Sequence, residues 1–495
     1  MRSFLARGAV LLTSLFVAIA QATPETAPQL NLPEKFAPPP VFKNTNLLRN
    51  IDLTKPYQRE VIAVVVENIS KDPQTDYYIP FDKEVAERIS YIEARDKAGV
   101  LGFLDVAKAQ SPGPTQWYRV FISEPVKAGE QITLHIAIGL TGVVEPVPAE
   151  INQVDRQYLK WTGTQYSRSA YVTGKQKTKI KLINNEVPDY TQLEPKSDGS
   201  SDPAKLGSTI TYGPYEEVTS AQLGGDVISL RYEYTLPVIT ADTFSREIEV
   251  SHWGGNLAIE EKYALTNTGA KLKDNFNRVK WTATNYLNPP TAAIKSLTYG
   301  LTNFPLNPYY TDEIGNVSTS RFRQEQKPGE AHLELKPRYP LFGGWNYSYT
   351  LGWNHDLRNF VRQRGSSGNY VLRVPFMEGP KEPMVYKDVS VTVILPEGAT
   401  DVAWYSPLPI LSEERFFHKT FMDTLGRTAI KLRMSNVVDE LQGRELRVSY
   451  NLSPVEFYRK PYVIFSALSA LFLVSWVVAG IDVRIGPKKE GEEGK

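Results

Sequence analysis

The feature that most constrains this chain is a period-two alternation of apolar and polar residues. In "QITLHIAIGL" (131–140), Ile132, Leu134, Ile136 and Ile138 share one side. In "RELRVSYNL" (444–452), Leu446, Val448, Tyr450 and Leu452 do the same. Successive side chains of a strand point to opposite faces, so such runs form half-buried strands and cannot sit as helices. "REVIAVVVEN" (59–68), "TKIKLI" (178–183), "ISLRYEYTL" (228–236), "SREIEVSHW" (245–253) and "VSVTVIL" (389–395) follow the same rule. The segment "EVAERISYIEARD" (84–96) is mixed: its composition suits a helix, whereas Ile89 and Tyr91 alternate as in a strand. With 27 tyrosines, 35 prolines and 33 glycines available for strands and turns, the chain is expected to be mainly β, with sandwich-like domains.

The pattern repeats in order. "REVIAVVVEN" and "REIEVSHWGGNLAIEE" (246–261) each open a half. "IKLINNEVPDYTQLEP" (180–195) is like "VTVILPEGATDVAWYSP" (391–407), and "GDVISLRYEYTLP" (225–237) is like "GRELRVSYNLSP" (443–454). Three ordered matches argue for two tandem β-rich domains, 23–237 and 238–461. The first begins with a proline-rich stretch, "TPETAPQLNLPEKFAPPP".

Both ends point to export and a membrane. Residues 1–22 carry basic Arg2 and Arg7, then a short apolar run, then the small residues of "AIA" and "AQA". That is the order of a cleavable signal peptide. Residues 462–481, "YVIFSALSALFLVSWVVAGI", hold no charge and suit a transmembrane helix. Residues 482–495 would then be a short cytosolic tail, with the body on the lumenal side. Within the span, Ser466/Ala470 and Ser475/Ala479 have the small-xxx-small spacing that lets helices approach closely.

Chemistry-bearing motifs are missing. The chain has no cysteine, which excludes disulfides, thiolate metal sites and thiol nucleophiles. The five histidines (His135, His252, His332, His355 and His418) form no HExxH. There is no phosphate loop, dinucleotide fingerprint, GxSxG elbow or DxD acid pair. No catalytic, cofactor or metal residue is therefore assigned, and no cofactor is expected. The formal net charge of +1 gives no field that would draw nucleic acid. The aromatic run "PRYPLFGGWNYSYTLGWN" (337–354) could stack on sugars, but strand core accounts for it better. Four N-x-[ST] sequons, at Asn68, Asn316, Asn346 and Asn451, become glycan acceptors once the chain is exported. Asn316, in the polar turn "YYTDEIGNVSTS", is the strongest candidate. Asn451 is the weakest, being on a predicted strand with Pro454 just beyond its sequon.

Longer blocks carry a resemblance. "REIEVSHWGGNLAIEEKYALTNTGAKLKDNF" (246–276), "YYTDEIGNVSTS", "LELKPRYPLFGGWNYSYTLGWN" and "VILPEGATDVAWYSP" resemble, in order, the ribophorin I family, subunit 1 of the oligosaccharyltransferase complex. "VPAEINQVDRQYLKWTGTQYSRSAYVT" (147–173) and "TYGPYEEV" (211–218) resemble it more loosely. The resemblance implies a single-pass type I protein of the endoplasmic reticulum membrane with two lumenal β-rich domains. It implies a non-catalytic subunit of the complex that moves a preassembled oligosaccharide from dolichyl diphosphate to Asn in N-x-[ST]. Partners so implied are the other subunits, including a multi-spanning catalytic one with a WWD-type motif, together with nascent polypeptides and the lipid bilayer. No WWD occurs here. Animal members carry a large cytosolic domain beyond the span; the short tail here is of the fungal type and lacks a KKxx signal. The readings set against this one are a β-sandwich surface receptor or adhesion protein, and an anchored glycosidase using a carboxylate pair.

Overall fold

The computed structural model describes residues 31–97, 102–194, 201–219, 224–287, 289–324, 330–365, 368–420 and 423–481. The expected signal peptide and tail lie outside the described residues. Strands dominate, and the terminal helix Arg459–Gly480 is by far the longest helix among the described residues. The mixed segment divides: Lys83–Ala86 is one helical turn and Ile89–Asp96 is a strand.

Seven strands of the first half matter here: β1 (Phe42–Asp52), β2 (Gln58–Asn68), β3 (Gln131–Leu140), β4 (Tyr158–Thr164), β5 (Thr173–Lys181), β6 (Thr209–Val218) and β7 (Val227–Glu233). β1 and β2 form an antiparallel hairpin, β3 joins β2, β5 lies parallel to β1, and β6 joins β5. β4 and β7 pair in a second sheet. The second half repeats this with β8 (Ile239–Ser251), β9 (Asn256–Asn267), β10 (Asn346–Asp356), β11 (Asn369–Pro375), β12 (Met384–Glu397), β13 (Arg427–Val438) and β14 (Glu445–Asn451). The hairpin β8–β9, the parallel pair β8–β12, the outer strands β10 and β13, and the second-sheet pair β11–β14 all recur. Two of the three sequence matches fall on equivalent strands. The first is offset: "REVIAVVVEN" lies in β2, whereas "REIEVSHWGGNLAIEE" starts in β8, the counterpart of β1, and runs on into β9, the counterpart of β2. Alternation alone cannot tell neighbouring strands of one hairpin apart.

Each hairpin buries an ion pair among its apolar residues. On β1 and β2, the Arg49 guanidinium grips Glu60 at 2.7 and 3.1 Å. Gln58 donates to Glu60 at 2.7 Å and accepts from Trp161 of β4 at 2.7 Å, so the pair also ties the two sheets. On β8 and β9, Arg246 and Glu261 stand directly opposite and bond, both side chains with no solvent exposure. Arg246 also holds Glu378 at 2.8 Å and lies 5.7 Å from the Trp353 ring centre. Tyr263 donates to Glu261 at 2.7 Å.

The halves are stitched together. Tyr57, in the turn between β1 and β2, is fully buried in the core of the second half. Its hydroxyl donates to Asp439 at 2.6 Å, beside Lys55–Asp439 at 2.6 Å and Arg59–Glu440 at 2.6 Å. Tyr91 donates to Glu440 at 2.7 Å, and Arg444 pairs with Glu93 at 2.8 Å.

Two outcomes follow for the Arg246 group. Arg246→Met leaves Glu261 and Glu378 without the guanidinium that bonds both, and should cost about 3–5 kcal/mol of unfolding free energy in denaturant titrations above about pH 7, where Glu261 is ionised. Burial pushes the Glu261 carboxyl up, Arg246 pulls it back and Glu378 adds to the rise, so it stands at about 7 against an ordinary 4.5. Between those values the native state holds a proton that the unfolded chain has released, so this contribution is present below the ordinary value and is lost as pH rises through about 7. Melting temperature measured from about pH 5 to about pH 8 should therefore fall for the wild type relative to Glu261→Gln, which keeps the neutral shape throughout. Parallel pH profiles for the two proteins would contradict the assignment.

Candidate functional site

Acid–base chemistry comes first, because an enzyme would need it exposed. Among the described residues, no group of three or more His, Asp or Glu side chains stands close enough to hold a metal. His355 is buried between Trp353, which donates to its Nε2 at 2.9 Å, and the Asn303 carbonyl 3.1 Å from its Nδ1. The His252 Nε2 lies 2.6 Å from the Tyr450 hydroxyl. Burial lowers the pKa of both rings. These are satisfied packing histidines. The strongest carboxylate pair, Glu261 and Glu378, shares Arg246, and Glu261 has no surface through which a substrate could reach it.

The aromatic run 337–354 is mostly core. Tyr347, Tyr349, Leu351 and Trp353 are buried on β10. The Tyr263 and Tyr349 rings stack at 4.8 Å, and the Tyr310 and Tyr347 hydroxyls meet at 2.6 Å.

The four sequons sit in different surroundings. Asn316 is exposed, just past a tight turn. Asp312 makes that turn: its Oδ1 accepts from the Ile314 and Gly315 amides at 3.0 and 3.1 Å. Arg338 grips the same carboxylate at 2.5 Å and holds it below the usual range. Asp312 thus serves as turn chemistry beside the acceptor. Asn346 is exposed at the start of β10, and Asn451 is half-buried at the end of β14. Asn68 is fully buried. Its amide donates to the carbonyls of Asp72 and Val126 at 2.8 and 2.7 Å, and its oxygen accepts from Ser70. The period-two pattern held the signal, since Asn68 follows Ile62, Val64 and Val66 on one face.

Sequence reasoning missed an open edge strand. Among the described residues, Ser412–His418 ends the larger sheet of the second half and pairs only with β13. Its other edge carries backbone groups free to pair, and Phe417 stands largely exposed. Glu413, Glu414 and Arg415 hide the alternation.

That strand leads to the root of the terminal helix. Asp423 accepts from Thr420 at 2.7 Å, pairs with Arg427 at 3.3 Å, and binds Lys460 at 3.0 Å. Burial alone would raise its pKa; the bonds from Thr420, Lys460 and Arg427 outweigh burial and hold it at about 2. Glu456 grips Arg459, and Thr424 accepts from Arg459 at 3.3 Å. The helix then runs 22 residues with none buried, apolar and long enough to cross a membrane. At 1.5 Å rise per residue it is about 33 Å long, matching a hydrocarbon core.

A family profile described as Ribophorin I matches residues 42–479. A Schizosaccharomyces pombe protein named dolichyl-diphosphooligosaccharide–protein glycosyltransferase subunit 1 is 31% identical over 438 residues, 88% of this chain and 95% of that one. Subunit 1B of Arabidopsis thaliana is 31% identical, covering 89% of this chain and 93% of its own. Subunit 1 of Caenorhabditis elegans is 29% identical, covering 91% and 75%. Among solved structures, a zinc metallopeptidase from Deinococcus radiodurans aligns with 43% of this chain and 42% of its own at 10% identity, with a TM-score of 0.24 that carries no argument.

Proposed function

The chain belongs to the ribophorin I family, and from that premise we propose that it is a non-catalytic subunit of the oligosaccharyltransferase complex of the endoplasmic reticulum membrane. The observation that carries this reading is the match along nearly the whole described body and helix, residues 42–479. The complex transfers a preassembled oligosaccharide from dolichyl diphosphate to Asn in N-x-[ST] of nascent chains. Other subunits of the complex are its partners. Catalysis falls to a different, multi-spanning chain. The body, divided into units 23–237 and 238–461, faces the lumen, and Arg459–Gly480 crosses the bilayer once.

Within the complex this chain scaffolds and handles acceptor polypeptides. The free edge of Ser412–His418 suits the second task, because backbone pairing accepts an extended segment whatever its side chains. That indifference fits a machine with many substrates.

A photocrosslinker in place of Phe417, in the assembled complex, should capture nascent glycoproteins; one at Phe103 should not. Glycosylation that proceeds with no crosslink at Phe417 would remove the edge from acceptor handling and leave scaffolding alone. For the chain's own sequons, Asn316→Gln should lose one glycan, seen as a single step in gel mobility. Asn68→Gln should leave mobility unchanged and cost about 1–3 kcal/mol, because its buried bonds are disturbed. A mobility step at Asn68 instead would show that this strand end opens in the cell.

A further inference from the structure

The terminal helix leaves the second unit beside three short stretches of chain. One is the turn joining β8 to β9, residues 251–255. Another is the turn 423–426 before β13. The third is 453–458, which leads directly into the helix. Each offers a large apolar side chain to solvent: Trp253 is 60% exposed, Leu425 56%, Val455 71% and Tyr458 52%.

All three are tied to the helix root. The His252 ring packs against Phe457 at 6.4 Å, and Trp253 lines one cavity with Phe457, Arg459 and Lys460. Thr424, next to Leu425, accepts from Arg459, and Asp423 holds Lys460. Ser453 caps the turn carrying Val455 by accepting from the Glu456 amide at 3.3 Å. These apolar groups therefore sit at the level of Arg459 and Lys460, where the uncharged run begins. That level is the membrane–water interface, roughly 5–7 Å thick on each side, where Trp and Tyr are enriched.

Three cations of the helix root are occupied within the protein. Arg427 pairs with Glu249 and Asp423, Arg459 with Glu456, and Lys460 with Asp423. Lys419, beside Gly426, stays exposed at the margin of the turn. The four side chains named above are apolar or aromatic.

We propose that the base of the second unit is a lipid-contacting surface: Trp253, Leu425, Val455 and Tyr458 enter the interfacial layer around the helix root. This rests on Arg459–Gly480 crossing the bilayer. With the root clamped by Asp423, the surface holds the unit at one height and tilt instead of letting it swing on a single helix. Because the contact is apolar, it does not depend on anionic lipid.

The absence of native cysteine makes the test direct. Trp253→Cys, Leu425→Cys and Val455→Cys are labelled singly with a nitroxide, with Leu471→Cys as the membrane reference and Tyr286→Cys as the aqueous one. Collision with oxygen and with a water-soluble nickel chelate is measured by electron paramagnetic resonance, on the full chain in phosphatidylcholine nanodiscs and on the assembled complex. The base sites should favour oxygen over nickel several-fold relative to Tyr286→Cys, with the same ratio when anionic lipid is added. Nickel access equal to that of Tyr286→Cys, with Leu471→Cys still in lipid, overturns the surface and keeps the span. Nickel access at Leu471→Cys as well overturns the span, and the surface with it. Base sites shielded from both reagents in the complex would mean that another subunit covers them, which overturns the lipid assignment.

Discussion

Each half of this protein is organised around an arginine that faces inward from the first strand of its central hairpin. Arg49 and Arg246 occupy core-facing positions, where alternation would ordinarily place an aliphatic residue. A buried guanidinium must be met by a carboxylate and by hydrogen bonds, or the desolvation cost is not offset. Glu60 and Glu261 meet it from the second strand. In the second hairpin the two stand directly opposite, whereas in the first Glu60 lies diagonal to Arg49, which faces Ile62 in register. A slip by one residue would turn a charge toward the opposite face and break the pair. The hairpin in turn fixes β5 or β12 beside it in parallel, and that strand seats the outer strand of the sheet. Such a pair adds little net stability, because desolvation offsets most of the attraction.

The two copies have diverged in what they tie together. In the first half, the network runs through Gln58 and Trp161 into the smaller sheet. In the second, it runs to Glu378, beyond β11. The seam adds a constraint that neither half has alone. Tyr57 is a turn residue of the first hairpin, yet its ring is core for the second half. Its hydroxyl, Lys55 and Arg59 meet Asp439 and Glu440 in a partly buried cluster, where ion pairs are screened less than on an open surface. Bending at this seam would expose the ring and part the charges together.

Much of the β architecture was legible in the sequence because burial on one face enforces alternation. The strands through Ile132–Ile138 and Leu446–Leu452 needed nothing else. Alternation is blind to partners, however, which is why the first repeat match landed on neighbouring strands of the hairpin. It is also blind where charge protects an edge: Glu413, Glu414 and Arg415 break the pattern because that strand has one face and one edge in water. The helix was legible from its apolar length, but its root was not. Asp423 meets Lys460 from a turn far back along the chain, and Trp253 arrives from another hairpin. Such groups look like ordinary turn residues until the fold gathers them.

The position of the free edge gives the proposed handling of acceptors a geometric basis. His418, the last residue of the edge strand, pairs in register with Arg427, and the turn between them contains Asp423. Asp423 is also the residue that holds Lys460 at the top of the membrane helix. Asp423 therefore ties the strand that seats the edge to the root of the helix. Backbone pairing recognises an extended chain by direction and distance, not by side-chain identity. A subunit that presents diverse acceptors would depend on holding such an edge at a set height and heading over the bilayer. Here the contact between that turn and the helix root is a carboxylate gripped by Lys460, Arg427 and Thr420.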